Sequence, residues 1–159
     1  MRKKEHLSIF YEFSSLSELS YSDRELIEKA EATASNAYAP YSGFKVGSAV
    51  LMENGQYFEG NNQENFSFPA GMCAERVALF YAKSQFPDAA IQKIAITAVK
   101  EGSLVEDPPV PCGECLQAML ENERRDENQI KILLYGSKKI MMSKGVRQFL
   151  PMRFEGEAP

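Results

Sequence analysis

The stretch Gly43–Gly60, GFKVGSAVLMENGQYFEG, restricts the possible folds more than any other part of the chain. Apolar runs flank the pair Asn54-Gly55, and an Asn-Gly between such runs is the strongest short-range signal of a β-hairpin. After a polar loop from Asn61 to about Met72, the pattern switches to alternation of helix and strand. The spacing predicts a helix over Cys73–Ser84, a strand over Ile91–Val99 and, beyond a Pro-rich loop, a helix over Cys112–Asn122. A strand over Ile130–Leu134, a short strand near Ile140 and a helical turn before Pro151 complete the series. A hairpin followed by alternating strands and helices belongs to the α/β class, with one mixed sheet covered by helices on both faces.

Upstream of the hairpin, SDRELIEKAEATASNAY places Leu26, Ile27, Ala30, Ala34 and Ala37 on one helical stripe. Its Ser22-x-x-Glu25 reads as the capping box that starts the helix. Further upstream, Leu7, Ile9, Tyr11 and Phe13 alternate with more polar residues, which suggests a short strand, and the Ser-rich SSLSELSYS follows as a linker. At 159 residues, 44% of them hydrophobic, the chain is long enough for one domain with a substantial core.

Composition also excludes several function classes. No run approaches the roughly 20 apolar residues of a membrane span, and MRKKEHLSIF has no apolar core of a signal peptide. A cytoplasmic protein without a membrane partner is expected. The net charge of −4, with basic residues scattered, lacks the electrostatic footprint of a nucleic-acid binder. The three cysteines, Cys73, Cys112 and Cys115, are an odd number and a poor disulfide framework in a reducing compartment. Metal binding or catalysis accounts for them better.

Cys73 follows FPAG and Cys112 follows PPVP, so each is expected in the first turn of a helix behind helix-breaking residues. The partial positive charge of a helix N-terminus favours thiolate over thiol, and thiolate is the metal-binding form. Cys112 and Cys115, spaced i, i+3, share one face of a helical turn. With Cys73 they offer three ligands to a tetrahedral zinc, and an open fourth position distinguishes a catalytic site from a structural one. His6 is the remaining candidate to close the site, but it lies in a weakly structured segment, whereas ligands are normally fixed by rigid elements.

Three thiolates around a dication leave a net negative centre, and Arg76 is the nearby cation that compensates it. Glu75, two residues from Cys73, is placed to take a proton from the attacking water and return it to the substrate. Cys-x-x-Cys alone more often belongs to a structural zinc site or a redox pair. The added Cys-x-Glu and the missing fourth cysteine tip that balance towards catalysis.

Cys-Ala-Glu with Pro-Cys-Gly-Glu-Cys is the all-cysteine form of the zinc deaminase signature. YAPYSGFKVGSAV, GNNQENFSFPAGMCAER, PCGECLQ and FLPMRF, in this order and spacing, resemble the homotetrameric cytidine deaminases that act on free nucleosides. The resemblance covers about Asp23 to Phe154. It implies a three-layer α/β/α sandwich around one mixed five-stranded sheet. It further implies one Zn2+ per subunit on Cys73, Cys112 and Cys115, with Glu75 as the proton shuttle. Asn62 and Glu64 match residues that bind the ribose hydroxyls, Phe44 an aromatic against the pyrimidine, and Phe154 an aromatic supplied by a neighbouring subunit. On their own, Asn62 and Glu64 read as ordinary loop residues and Phe44 as a core residue of an alternating strand. Leu116 stands where the family usually has Arg, and Phe68 where many members have Tyr. Residues 1–20 are then an N-terminal extension with no assigned role, and residues 21–159 a single cytidine deaminase-like domain.

The expected activity is zinc-dependent hydrolytic deamination of cytidine and deoxycytidine to uridine and deoxyuridine in pyrimidine salvage. The alternatives are a deaminase of a modified cytosine nucleoside such as blasticidin S, and a catalytically weak, zinc-stabilised paralogue. Asn62-Gln63-Glu64-Asn65 and Cys73-Ala74-Glu75-Arg76 favour cytidine and deoxycytidine over blasticidin S, whose deaminases are expected to lack that ribose motif, and the retained Glu75 argues against loss of catalysis.

Overall fold

The computed structural model describes residues 1–156, so the end of the expected 21–159 domain lies outside the described residues. Seven strands form one mixed sheet in the order β1-β7-β6-β4-β2-β3, with β5 paired to β4. The strands are β1 Tyr11–Phe13, β2 Phe44–Met52, β3 Tyr57–Asn61, β4 Ile91–Lys100, β5 Ser103–Leu104, β6 Lys131–Tyr135 and β7 Ile140–Lys144. Only β4 and β6 run parallel, joined by the crossover that carries the helix α3, Gly113–Asp126. The remaining helices are α1, Tyr21–Ala34, and α2, Ala74–Gln85. The α/β sandwich expected from the sequence is therefore present, but the sheet has seven strands rather than five. The additions are short: β1 lies along β7, and β5 folds back on β4 through Glu101 and Gly102, both at positive φ.

Strand alternation divides the core into two layers. Val50 and Met52 of β2, Ile94 and Ile96 of β4, and Ile132 and Leu134 of β6 face α2 and α3, where they meet Leu79, Met119 and Leu120. The intervening Ala49, Leu51, Ala95 and Leu133 face α1 and pack with Leu26, Ile27 and Ala30. Gly47 and Gly60 set how close the helices come. A Cβ on Gly47 would lie 1.9 Å from the carbonyl oxygen of Ala30 in α1, and one on Gly60 2.5 Å from the amide nitrogen of Ala78 in α2.

Helix α1 begins two residues earlier than the Ser22 capping box suggests. Ser20 is the N-cap, its hydroxyl accepting from the Asp23 amide at 3.3 Å, because Ser20 has the extended backbone that a cap needs. The stripe residues Leu26, Ile27, Ala30, Ala34 and Ala37 are all buried, although Ala37 lies beyond the helix end. At the N-terminus only Tyr11–Phe13 is strand, while Leu7 and Ile9 are exposed. Among the described residues no helix is long and apolar enough to cross a membrane.

The start of β2 and the ends of β3 and β4 meet at one end of the sheet, as the pairs Phe44↔Lys100 and Gly47↔Asn61 record. The segments leaving β3 and β4 at that end lead to the N-termini of α2 and α3.

Candidate active site

Both helix starts carry a cysteine at the N-cap, one position before the first turn in which the sequence placed them. Cys73 caps α2 and Cys112 caps α3, each with extended backbone. Cys115 lies one turn into α3 and is fully buried. The Sγ atoms of Cys73 and Cys112 are 3.9 Å apart and those of Cys112 and Cys115 3.4 Å, and the three sulfurs lie within 4.8 Å of one another. Zinc–sulfur bonds of about 2.3 Å in a tetrahedron require sulfurs roughly 3.8 Å apart, and the observed separations lie close enough to that spacing for the set to hold zinc. His6 is exposed and outside the cluster.

Electrostatics favour the same use. Hydrogen bonding to Cys115 and the adjacent Arg76 guanidinium bring the Cys73 thiol down to about 5, while the shared proton pushes Cys115 up. A dication displaces such a proton from a thiol set. Arg76 Nη2 lies 3.9 Å from Cys73 Sγ and 2.9 Å from Glu114 Oε2, so one guanidinium joins the sulfur centre to a carboxylate on α3. Arg76 Nε is buried and has no acceptor among the described residues.

Glu75, in the first turn of α2, is only 6% exposed. Burial raises its pKa above the ordinary carboxylate value, and the charge on Cys73 adds to the effect. A carboxyl whose pKa is raised in this way, beside a metal-ligand set, is suited to take and return a proton.

In front of the sulfurs opens a cleft of about 680 Å³, within the range of small-molecule sites. Asn62, Glu64, Cys73 and Arg76 line it, together with Tyr41, Ser42, Phe68 and Glu114. Glu64 accepts from the amides of Tyr41 at 2.9 Å and Ser42 at 3.3 Å and from the Ser42 hydroxyl at 2.5 Å. The Ser42 hydroxyl and these amides hold its carboxyl below the usual range. Asn62 Oδ1 accepts from the Val46 amide at 2.7 Å and its Nδ2 donates to the Phe44 carbonyl at 2.9 Å, which ties the loop to β2. Phe44 itself is half-buried and outside the cleft lining, whose aromatic walls are Tyr41 and Phe68, packed edge to face at 5.9 Å. Phe154 is likewise outside the cleft lining and 80% exposed.

The profile of the family described as the cytidine and deoxycytidylate deaminase zinc-binding region matches residues 20–127. The chain belongs to that family. Among relatives of this deaminase, the cytidine deaminase of Halalkalibacterium halodurans is 42% identical over 100 residues, 62% of this chain and 71% of the relative. That of Sporosarcina psychrophila is 38% identical over 97 residues, 61% of this chain and 67% of the relative. The crystal structure of the Burkholderia pseudomallei cytidine deaminase superposes with a TM-score of 0.71 at 32% identity, covering 86% of this chain and 100% of the other. The chain is thus an enzyme of the zinc-dependent deaminase family.

Two positions, Leu116 and Phe68, separate this deaminase from the motif it resembles, and Phe68 lines the cleft. Leu116, where an arginine is usual, is buried in the core that includes Leu79 and Met119. Arg76 is therefore the cation at the sulfurs, and it is shared with Glu114. Sequence reasoning did not single out Tyr41, Ser42 or Glu114. The first two were present in the quoted YAPYSGF motif; Glu114 stood between the cysteines, where only its distance to Arg76 reveals a role.

Proposed function

We propose that the chain catalyses hydrolytic deamination of cytidine and deoxycytidine to uridine and deoxyuridine, a pyrimidine salvage reaction in the cytoplasm. The observation that carries this reading is a three-sulfur zinc site with a buried Glu75 behind it, at a cleft whose opposite side presents Asn62 and Glu64. Zinc bound by the sulfurs supplies the Lewis acidity that makes water a nucleophile at neutral pH. Glu75 takes a proton from the attacking water and delivers it to pyrimidine N3, so that oxygen adds at C4. It then moves the remaining hydroxyl proton to the exocyclic nitrogen, ammonia leaves, and C4 becomes a carbonyl. Glu64, already ordered by the Tyr41–Ser42 turn, accepts from the ribose hydroxyls. Asn62 contributes the donor and acceptor capacity left after its contacts to β2. Arg76 tempers the thiolate charge. Phe44, outside the cleft lining, contributes through its carbonyl, which holds Asn62, and Phe154 enters the cleft of a neighbouring subunit in a homotetramer with one zinc per subunit. Residues 21–159 constitute the catalytic domain and residues 1–20 its extension.

One observation favours a second substrate class. Glu114 brings a further carboxylate to the cleft, and the lining's single guanidinium is paired to it, which suits a cytosine nucleoside with a cationic substituent, such as blasticidin S. The test follows ultraviolet absorbance with cytidine, deoxycytidine and blasticidin S, using zinc-loaded protein and Glu75→Gln. Cytidine turnover is expected to fall by about 10²–10⁴-fold in the variant, with zinc content and thermal stability preserved. Turnover of blasticidin S alone would replace the substrate assignment, and undiminished activity of Glu75→Gln would remove the proton shuttle.

A further inference from the structure

The N-terminal segment ends at an informative place. Beyond β1, the Ile9 amide donates to Gln148 Oε1 at 2.8 Å, and the Phe10 ring packs edge to face on Phe149 with centroids 4.9 Å apart. Strand β1 pairs with β7 in the register Tyr11↔Met142, so continuing backwards along this line brings residues 9 and 10 to the segment following β7. That segment is the 3₁₀ turn Val146–Gln148. Its other side is fixed by Glu123 of α3, whose Oε1 accepts from the Val146 amide at 2.9 Å. The chain leaves the turn through Phe149, Leu150 and Pro151, and proline restricts both its own φ and the conformation of the preceding residue. The exit is thus restrained at Leu150 and Pro151, and Arg147 of the same turn pairs with Glu155 at 3.1 Å, so an orientation set at the turn is passed to the segment that carries Phe154. There, Gln117 Nε2 donates to the Phe154 carbonyl at 3.1 Å while the ring remains exposed.

We propose that Phe10 and the Ile9–Gln148 bond are positioning elements that aim the Phe154 tail, so that the N-terminal segment of one subunit tunes substrate binding in another; this rests on the reading that Phe154 completes a neighbour's cleft. The extension thereby acquires a task that the catalytic core does not perform. Fixing a long aromatic arm in advance lowers the ordering cost when it closes on substrate.

The test is a mutant cycle on the full-length, zinc-loaded protein. Phe10→Ala and Gln148→Ala are each expected to raise KM about 3–10-fold with kcat changed less than about twofold, and Phe10→Tyr to restore KM. Neither change should add to the effect of Phe154→Ala, because residues acting through one contact are not additive. The chain has no tryptophan, so Phe154→Trp gives a single fluorescence reporter. Its emission is expected to shift red and its quenching to rise when Phe10→Ala is added, with the sedimentation coefficient unchanged. If Phe154→Ala impairs binding but Phe10→Ala and Gln148→Ala do not, or if their effects add fully, the positioning role is overturned. A harmless Phe154→Ala would instead overturn the shared-cleft reading on which it rests. Should Phe10→Ala fail to fold, Gln148→Ala, at a half-buried position, decides alone.

Discussion

Two carboxyl groups buried to a similar depth are driven in opposite directions, and the contrast separates chemistry from architecture. Burial lifts Glu75, and although Arg76 pulls the other way the carboxyl stays above its ordinary value. Burial also pushes Asp23 up, but hydrogen bonds from Lys131 at 2.6 Å and Lys93 at 2.8 Å outweigh it and hold that carboxyl below the ordinary value. Asp23 is 2% exposed and ties α1 to β4 and β6. Because its folded pKa is depressed, its stabilisation is fully present above the unfolded value near 4 and is lost as pH falls through the folded one. Asp23→Asn is expected to lower unfolding free energy by about 2–3 kcal/mol at pH 7. Denaturant titrations should show this gap shrinking below about pH 4; an equal gap at pH 3 would assign the loss to packing.

Among the elements, the close approaches at Gly47 and Gly60 place both helix layers. Gly47→Ala forces its methyl into the Ala30 carbonyl, a backbone atom that cannot swing aside. An expected loss of at least about 3 kcal/mol, measured by thermal or denaturant unfolding, follows from overpacking at backbone contact. The hairpin, α2, α3 and the α1 stripe were legible in the sequence because each has a local cause, an Asn-Gly turn or a 3.6-residue period. The cap at Ser20 was not, since Ser20 and Ser22 are chemically alike and only backbone geometry distinguishes them. Strand β5 escaped for a different reason: Ser103–Leu104 is too short to show alternation and exists by pairing with β4. The metal site was readable because rare residue types in fixed spacing encode it. Glu114 was not, because its meeting with Arg76 depends on how α3 docks beside α2.

For the whole molecule, the sulfurs add a further link between two helices already joined by the Arg76–Glu114 and Lys83–Asp126 ion pairs. Metal bound at Cys73, Cys112 and Cys115 joins the N-termini of α2 and α3 and fastens the loops that precede them. A ligand present at 100 times its dissociation constant adds about 2.7 kcal/mol to the folded state. Treatment with a strong chelator is accordingly expected to lower the melting temperature by several degrees and to raise hydrogen exchange around residues 62–73 and 105–112. Stoichiometric zinc should reverse both changes; a melting curve indifferent to chelation would exclude a stabilising metal.

The placement of Tyr11–Phe13 has a consequence for how these molecules behave in a crowd. Strand β7 carries Ile140, Met141 and Met142, an apolar run that, left at the border of the sheet, would offer unpaired amides and carbonyls to another chain. With β1 laid over it, that border is occupied from within, and intermolecular sheet growth, the first step of aggregation, has to begin elsewhere.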